Sequence, residues 1–321
     1  MSIPSNLILT LKLVKGIGNK TILKLAEQAK YSVNTFDELC SFWLTLKGKS
    51  FEKISKDDLF DAFNSATRII ERSKEHNVGI ISYFDDDYPE ILKNCIDESG
   101  KLDPPILLFY RGNLDALKLP GIAIIGTREP TPNGIKAGIY FSEQFSKKGY
   151  NIVSGLAIGC DTTAHKGALQ AGGITTAFLA NGLDWDSIYP KENLELAKKI
   201  TENNGLLLSE YPIGQPCGTY ALVARDRLQA GLSFATVVIQ TGIKGGTMHA
   251  VNATLASNKP LFAVEYRSPA DYSHEKVQGN TMLISKKGAI PLRSNELEVA
   301  FSILLKPQKS NQTQKSLFDD L

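Results

Sequence analysis

Cysteine is scarce in this chain of 321 residues, and the four present, Cys40, Cys95, Cys160 and Cys217, form no C-x-x-C pair. Such scatter argues against a disulfide framework and against a thiolate zinc site, so reduced thiols are expected. Histidine is equally sparse: His76, His165, His249 and His274 make no H-E-x-x-H or comparable ligand spacing, and no metal is expected. No apolar run reaches the length of about 18 residues that a membrane helix needs. The opening MSIPSNLILTLKLVKGIG lacks the basic start, continuous apolar stretch and cleavage site of a leader. A cytoplasmic chain without a membrane partner is therefore expected. Net charge is also missing, since 36 Lys and Arg stand against 34 Asp and Glu for a formal +2. Attraction for a polyanion must come from a local basic site, not from the field of the whole molecule. Finally, there is no G-x-S-x-G elbow, no G-x-x-x-x-G-K-[ST] loop and no full G-x-G-x-x-G. Their absence removes the commonest hydrolase, NTPase and dinucleotide readings, and no cofactor is expected.

What is there describes a globular protein: 42% hydrophobic and 22% charged residues, with a mean hydropathy of -0.12, enough for a full core in one large and one small domain. Apolar periodicity at Leu7, Leu11, Val14, Ile22, Leu25 and Ala26, broken by Gly16-Ile17-Gly18, predicts helix, tight turn, helix. Further helices are expected over 35–46 and 57–76, giving a helical domain over residues 1–76. Beyond it, short apolar runs at 78–81 and 106–110 predict two added strands. From 121 the alternation becomes regular, with strands over 121–125, 150–153, 174–180, 205–208, 235–240 and 260–264, each but the last followed by a helix-like stretch. That repetition predicts an α/β fold of Rossmann-like, doubly wound type with a mainly parallel sheet over residues 77–305. The polar tail 306–321 is expected to be flexible.

Ligands of an open parallel sheet bind beyond the carboxyl ends of its strands. The residues there share one character: Gly126-Thr127-Arg128, Ser154-Gly155 with Gly159, Asn181-Gly182, and Gly245-Gly246-Thr247. Glycines at such turns let the backbone approach an anion, and helix N-termini add donors and partial positive charge. Arg128, Lys166, Lys191, Arg225 and Arg227 could add formal charge, arginine being suited to two-pronged phosphate contact. Each loop alone could equally be glycine-rich for steric reasons; their recurrence on one edge is the stronger signal. Asp161 fits an N-cap as well as a catalytic role, and His165 lies on the same helical face. The Gly16 and Gly18 turn could hold a second phosphate or simply join two helices.

The run Gly121-Ile-Ala-Ile-Ile-Gly-Thr-Arg-Glu-Pro-Thr131 is followed by Val153-Ser-Gly-Leu-Ala-Ile-Gly-Cys-Asp161 with Ala164-His165, Tyr189-Pro-Lys-Glu-Asn193 and Leu208-Ser-Glu-Tyr-Pro212. In order and spacing this series resembles the DNA-processing protein A (DprA/Smf) family from about 78 to 290. The resemblance implies a Rossmann-like core behind a helix-hairpin-helix/SAM-like domain. It further implies single-stranded DNA binding without catalytic turnover, a homodimer, and the loading of the recombinase RecA on incoming DNA in natural transformation. Carried over by position, the DNA contacts would be Gly126, Thr127, Arg128, Ser154, Gly155, Gly159, Lys191, Arg225 and Arg227. Where the family usually has Arg-Asn-Arg, this chain has Arg225-Asp226-Arg227. That carboxylate would weaken phosphate attraction unless it points away or pairs with an arginine. A winged-helix-like C-terminal domain, present in many members, is expected to be absent.

Two other functions fit the same sheet edge. Gly245-Gly246-Thr247 resembles part of the Pro-Gly-Gly-x-Gly-Thr-x-x-Glu motif of phosphoribohydrolases that act on nucleoside monophosphates, but Ala250 stands where their glutamate falls, leaving Glu210 as a substitute. A sensor that binds a nucleotide derivative, possible in defence, is the other. In the tail, Gln314-Lys315-Ser316-Leu317-Phe318 resembles the Q-x-[SD]-L-F peptides that dock into the bacterial sliding clamp, with Gln314, Leu317 and Phe318 as anchors.

Overall fold

The computed structural model describes residues 3–29 and 31–305. It opens with five helices: α1 (Ser5–Leu13), α2 (Asn19–Gln28), α3 (Phe36–Trp43), the single turn α4 (Lys49–Glu52) and α5 (Lys56–Glu75). Local chemistry sets their ends. Gly16, at φ +91°, makes the reversal between α1 and α2. Thr35 with Glu38 and Ser55 with Asp58 form capping boxes that start α3 and α5. Asn77, in the left-handed region at φ 54°, closes the segment.

The remainder alternates as the apolar runs predict. After β1 (Gly79–Ser82), α6 (Glu90–Lys93) and β2 (Leu107–Gly112) come β3 (Gly121–Ile125), α7 (Pro132–Lys147), β4 (Asn151–Ser154), α8 (Cys160–Gln170) and β5 (Thr175–Leu179). They are followed by α9 (Leu194–Glu202), β6 (Leu206–Ser209), α10 (Thr219–Leu232), β7 (Ser233–Val238), α11 (Thr247–Ala256) and β8 (Leu261–Val264). The last elements are α12 (Pro269–Tyr272), α13 (Glu275–Lys286), β9 (Ile290–Leu292) and α14 (Leu297–Leu304).

One nine-stranded sheet results, in the order β1-β2-β6-β5-β4-β3-β7-β8-β9. Strands β3 to β9 pair parallel, while β1 and β2 are antiparallel additions beside β6. Strand order reverses between β3, whose chain continues toward β4, and its other neighbour β7; this is the switch point of a doubly wound sheet. Strand β9 was not foreseen. It is three residues long and contains Pro291, which lacks an N–H and is tolerated here at the sheet edge.

Alternate side chains of each strand feed opposite faces. Leu207 of β6 joins the apolar cluster formed by α1, α2, α3 and α5, whereas Leu206 and Leu208 join a second cluster with Leu228 and Leu232 of α10. Residues on both sides of position 76 share that first cluster, which unites Leu7, Leu11, Leu25 and Leu59 with Ile106, Phe109, Leu179 and Leu207. The helical segment is thus seated on the sheet by burial of apolar surface.

Candidate functional site

At the switch point the chain leaves β3 and β7 in different directions and opens a cavity of about 600 Å³. Five pieces of the chain line it: the loop after β3 (Gly126–Glu129), the β4–α8 turn with Ala157 and Asp161, the α10 residues Arg225, Asp226 and Gln229, the loop after β7 (Thr241–Thr247) with Ala250 of α11, and the first turn of α13 (Glu275, Lys276, Gln278). A smaller hollow of about 130 Å³ adjoins it, bounded by Gly155, Ile158, Asn181, Tyr189, Pro190 and Leu222; Arg128, Ala157 and Arg225 line both.

The loop after β3 is fixed to its neighbours by backbone. Thr127 N–H donates to the Gln240 carbonyl at 2.7 Å, and Cys160 N–H donates to the Thr127 carbonyl at 3.0 Å. Gln240 also receives Thr131 N–H on Oε1 at 2.9 Å and donates from Nε2 to Thr131 Oγ1, tying the start of α7 to the end of β7. A Cβ on Gly126 would lie 2.6 Å from Cys160 Sγ, and one on Gly159 would lie 2.5 Å from the Thr127 and Arg128 carbonyls. These glycines let two loops touch. Gly155 leaves room for a side chain, since a Cβ there would stand 1.3 Å from Arg225 Nη1. By contrast, Gly245 and Gly246 face open space, ahead of the N-terminus of α11. Their backbone is free to meet a ligand.

Arg225 is buried, with Nη1 donating to the Phe178 carbonyl at 3.2 Å. Two carboxylates flank it, Asp161 Oδ2 at 3.9 Å from Nη1 and Asp226 Oδ1 at 3.3 Å from Nε. Asp161 Oδ2 accepts from Gly155 N–H and Ala157 N–H, so it organises the turn before α8 and is not an N-cap; burial pushes its carboxyl upward, against the pull of Arg225. Asp226 therefore does pair with an arginine. Burial, only partly offset by Arg225, pushes its carboxyl up to about 6. His165 turns away from Asp161 and shares a hydrogen with Thr175 Oγ1 at 2.7 Å; burial, with Arg225 adding to it, holds the ring neutral, down to about 3.

Of the expected contacts, Gly126, Thr127, Arg128, Arg225, Gly245, Gly246 and Thr247 line the main cavity, and Gly155 lines the smaller hollow. Others lie elsewhere. Arg227 corrects the expectation of a phosphate contact: its guanidinium is buried and grips Glu210 through Nη1 at 2.9 Å and Nη2 at 3.0 Å, while Nε meets Asp103 Oδ2 at 2.6 Å. Glu210 is held by the same pair, and Ala250 puts a methyl on the cavity wall. Ser154 is also turned inward, its Oγ donating to the Ile124 carbonyl. Lys191 lines neither hollow; it is exposed, with Nζ donating to the Asp186 carbonyl. Gly16 and Gly18 sit in the α1–α2 turn, and residues 3–29 and 31–76 contribute nothing to the cavity lining. Gln314, Leu317 and Phe318 lie outside the described residues.

Lys244, Lys276 and Gln229 are lining residues that sequence reasoning did not select. Lys244 stands within the glycine loop and was legible there; the α13 residues follow no strand-to-helix glycine turn that would have flagged them. Among the described residues Arg128 and Lys244 make no ion pair, whereas Lys276 is bound to Glu129 at 3.1 Å and Glu275 at 3.4 Å. The lining as a whole is balanced, with Arg128, Arg225, Lys244 and Lys276 against Glu129, Asp161, Asp226 and Glu275. Its uncompensated positive charge is on Arg128 and Lys244.

Residues 79–300 match the family model of DNA recombination-mediator protein A. The protein Smf of Synechocystis is 30% identical over 295 residues, covering 87% of this chain and 71% of that protein. The DNA processing protein DprA of Streptococcus pneumoniae is 36% identical over 200 residues, covering 61% of this chain and 70% of that one. The X-ray structure of the S. pneumoniae DNA processing protein A superposes with a TM-score of 0.74 at 28% identity, over 94% of this chain and 98% of the other. A solved structure of DNA processing protein A from Helicobacter pylori, described for its single-stranded DNA binding mode, gives 0.59 at 30% identity, over 70% of this chain and 95% of the other. Among the described residues no helix is long and apolar enough to cross a membrane.

Proposed function

Because the chain belongs to the DNA recombination-mediator protein A family, we propose that it binds single-stranded DNA along the carboxyl rim of its sheet, without turning it over chemically. The observation that carries this reading is the pair of cations Arg128 and Lys244, free of ion pairs among the described residues, beside the open backbone of Gly245 and Gly246. Phosphates held by such groups are read without regard to sequence. The single-stranded DNA binding mode described for the H. pylori relative supports the same ligand class. Exposed Tyr189 and Tyr220 flank the rim on the loop before α9 and on the first turn of α10, where bases could stack.

The reading extends to a cytoplasmic homodimer that loads RecA on incoming strands in natural transformation or recombination. Residues 1–76 would act as the helix-hairpin-helix/SAM-like domain, 77–305 as the core, and 306–321 as a tail whose Gln314, Leu317 and Phe318 engage the sliding clamp. A second reading, a sensor of a small nucleotide derivative, is favoured by one observation: a cavity of about 600 Å³ falls within the usual size of small-ligand sites. Salt separates the two. Neutralising two backbone phosphates predicts that oligo-dT affinity falls roughly sevenfold between 50 and 200 mM salt, from about 0.7 ions released per contact. Thymidine monophosphate binding as tightly as the oligonucleotide would favour the sensor.

A further inference from the structure

The lining of the main cavity falls into two sets of groups of different character, with Arg128 of the first near enough to Asp226 of the second to draw its carboxyl down. Arg128, Lys244 and the bare backbone of Gly245 and Gly246 form the first. In the second, α10 presents Arg225, Asp226 and Gln229, and the single positive charge of Arg225 lies between the carboxylates of Asp161 and Asp226. That set repels a phosphate when both carboxylates are ionised. A strand that rests its backbone on the first set must therefore turn something other than phosphate toward the second.

The second set offers hydrogen-bond acceptors. The Asp226 side chain retains 15% exposure, and its contacts from Arg225 Nε at 3.3 Å and Gln229 Nε2 at 3.0 Å both fall on Oδ1. Oδ2 takes part in neither. Gln229 is 2% exposed, and with Nε2 committed to Asp226 its Oε1 accepts no hydrogen bond. Being buried, Oε1 leaves Asp226 Oδ2 as the acceptor of this pair that an incoming group can meet. Asp226 and Gln229 are three residues apart on one helix, so they share a face and move as a unit.

Resting on the strand-binding reading above, we propose that Asp226, held by Arg225 and Gln229, is a base-reading residue whose carboxylate accepts the exocyclic amino group of one nucleobase. Cytosine, adenine and guanine carry such an amino group, whereas the donor on this edge of uracil and thymine is the ring N3–H. Uracil and thymine present a carbonyl oxygen where cytosine has its amino group, and that oxygen faces the carboxylate unfavourably. Carboxylates read cytosine N4 in this way in duplex grooves.

The test compares oligo-dC with oligo-dU of equal length, at pH 7.5 and fixed salt, by fluorescence anisotropy on the full chain. The two differ only in the pyrimidine edge, so stacking and phosphate contacts are closely matched. Wild type should bind dC roughly fivefold or more tightly than dU. Asp226→Asn keeps the shape and the Oδ1 contact but can place an amide donor where Oδ2 stood, so the preference should vanish or invert. Tight binding of both strands with equal constants overturns the base-reading assignment and leaves the strand reading standing. A dC preference that survives Asp226→Asn unchanged also overturns it. Failure to bind either strand removes the strand reading itself, and this proposal with it.

Discussion

The glycines after β3 and β4 and those after β7 look alike in sequence, yet their surroundings are opposite. Gly126, Gly155 and Gly159 are glycine because a sulfur, a guanidinium or a carbonyl occupies the space of their missing Cβ. Gly245 and Gly246 have nothing within 4 Å of that position. The first group builds the site and the second is exposed to what enters it. Glycine richness at a strand end therefore marks close approach, and only the fold says whether protein or ligand makes that approach.

Substitution is the most forceful way to break this comparison. Gly155→Ala must displace Arg225 from between its two carboxylates, which should cost about 3 kcal/mol or more. Gly246→Ala, at φ -58° and in open space, should stay within about 0.5 kcal/mol. Urea denaturation midpoints of the two variants check the difference, and equal losses would erase the distinction.

A smaller effect concerns the acidic set of groups. The Asp226 carboxyl is raised to about 6 in the folded protein, above its value in an unfolded chain. For an acid raised on folding, the native state binds the proton more tightly, so stability is lowest with the group ionised and recovers as pH falls through about 6. Asp161, also raised by burial, contributes with the same sign. Between pH 7 and pH 5 the Asp226 contribution should add about 1 kcal/mol. Asp226→Asn should remove it, as read from urea titrations at the two pH values. Over the same range, affinity for oligo-dU should rise as a negative charge leaves the cavity, and the preference for dC should shrink.

Most of the architecture was legible because apolar runs of four to seven residues, separated by helix-like stretches, leave few alternatives to a parallel sheet, and the rim of such a sheet is where ligands bind. The site itself was legible in part. Arg225 and Arg227 lie two residues apart on α10, so their side chains leave the helix about 200° apart. They could not share one phosphate, and the structure puts them in separate environments. The α13 residues were hidden because polar positions on a late helix carry no sign of which rim they reach. Asp226 was noticed as a charge but not as an acceptor, since its neighbours Gln229 and Asp161 come to it through helical periodicity and tertiary folding.

One titration bears directly on the account: a fluorescent oligo-dT with wild type and with Arg128→Ala, across a series of salt concentrations. Removal of a direct, otherwise unpaired phosphate contact should weaken binding roughly tenfold and make the dependence of log affinity on log salt shallower by about 0.7. Unchanged affinity and unchanged slope in a normally folded Arg128→Ala protein would contradict a strand held at this rim.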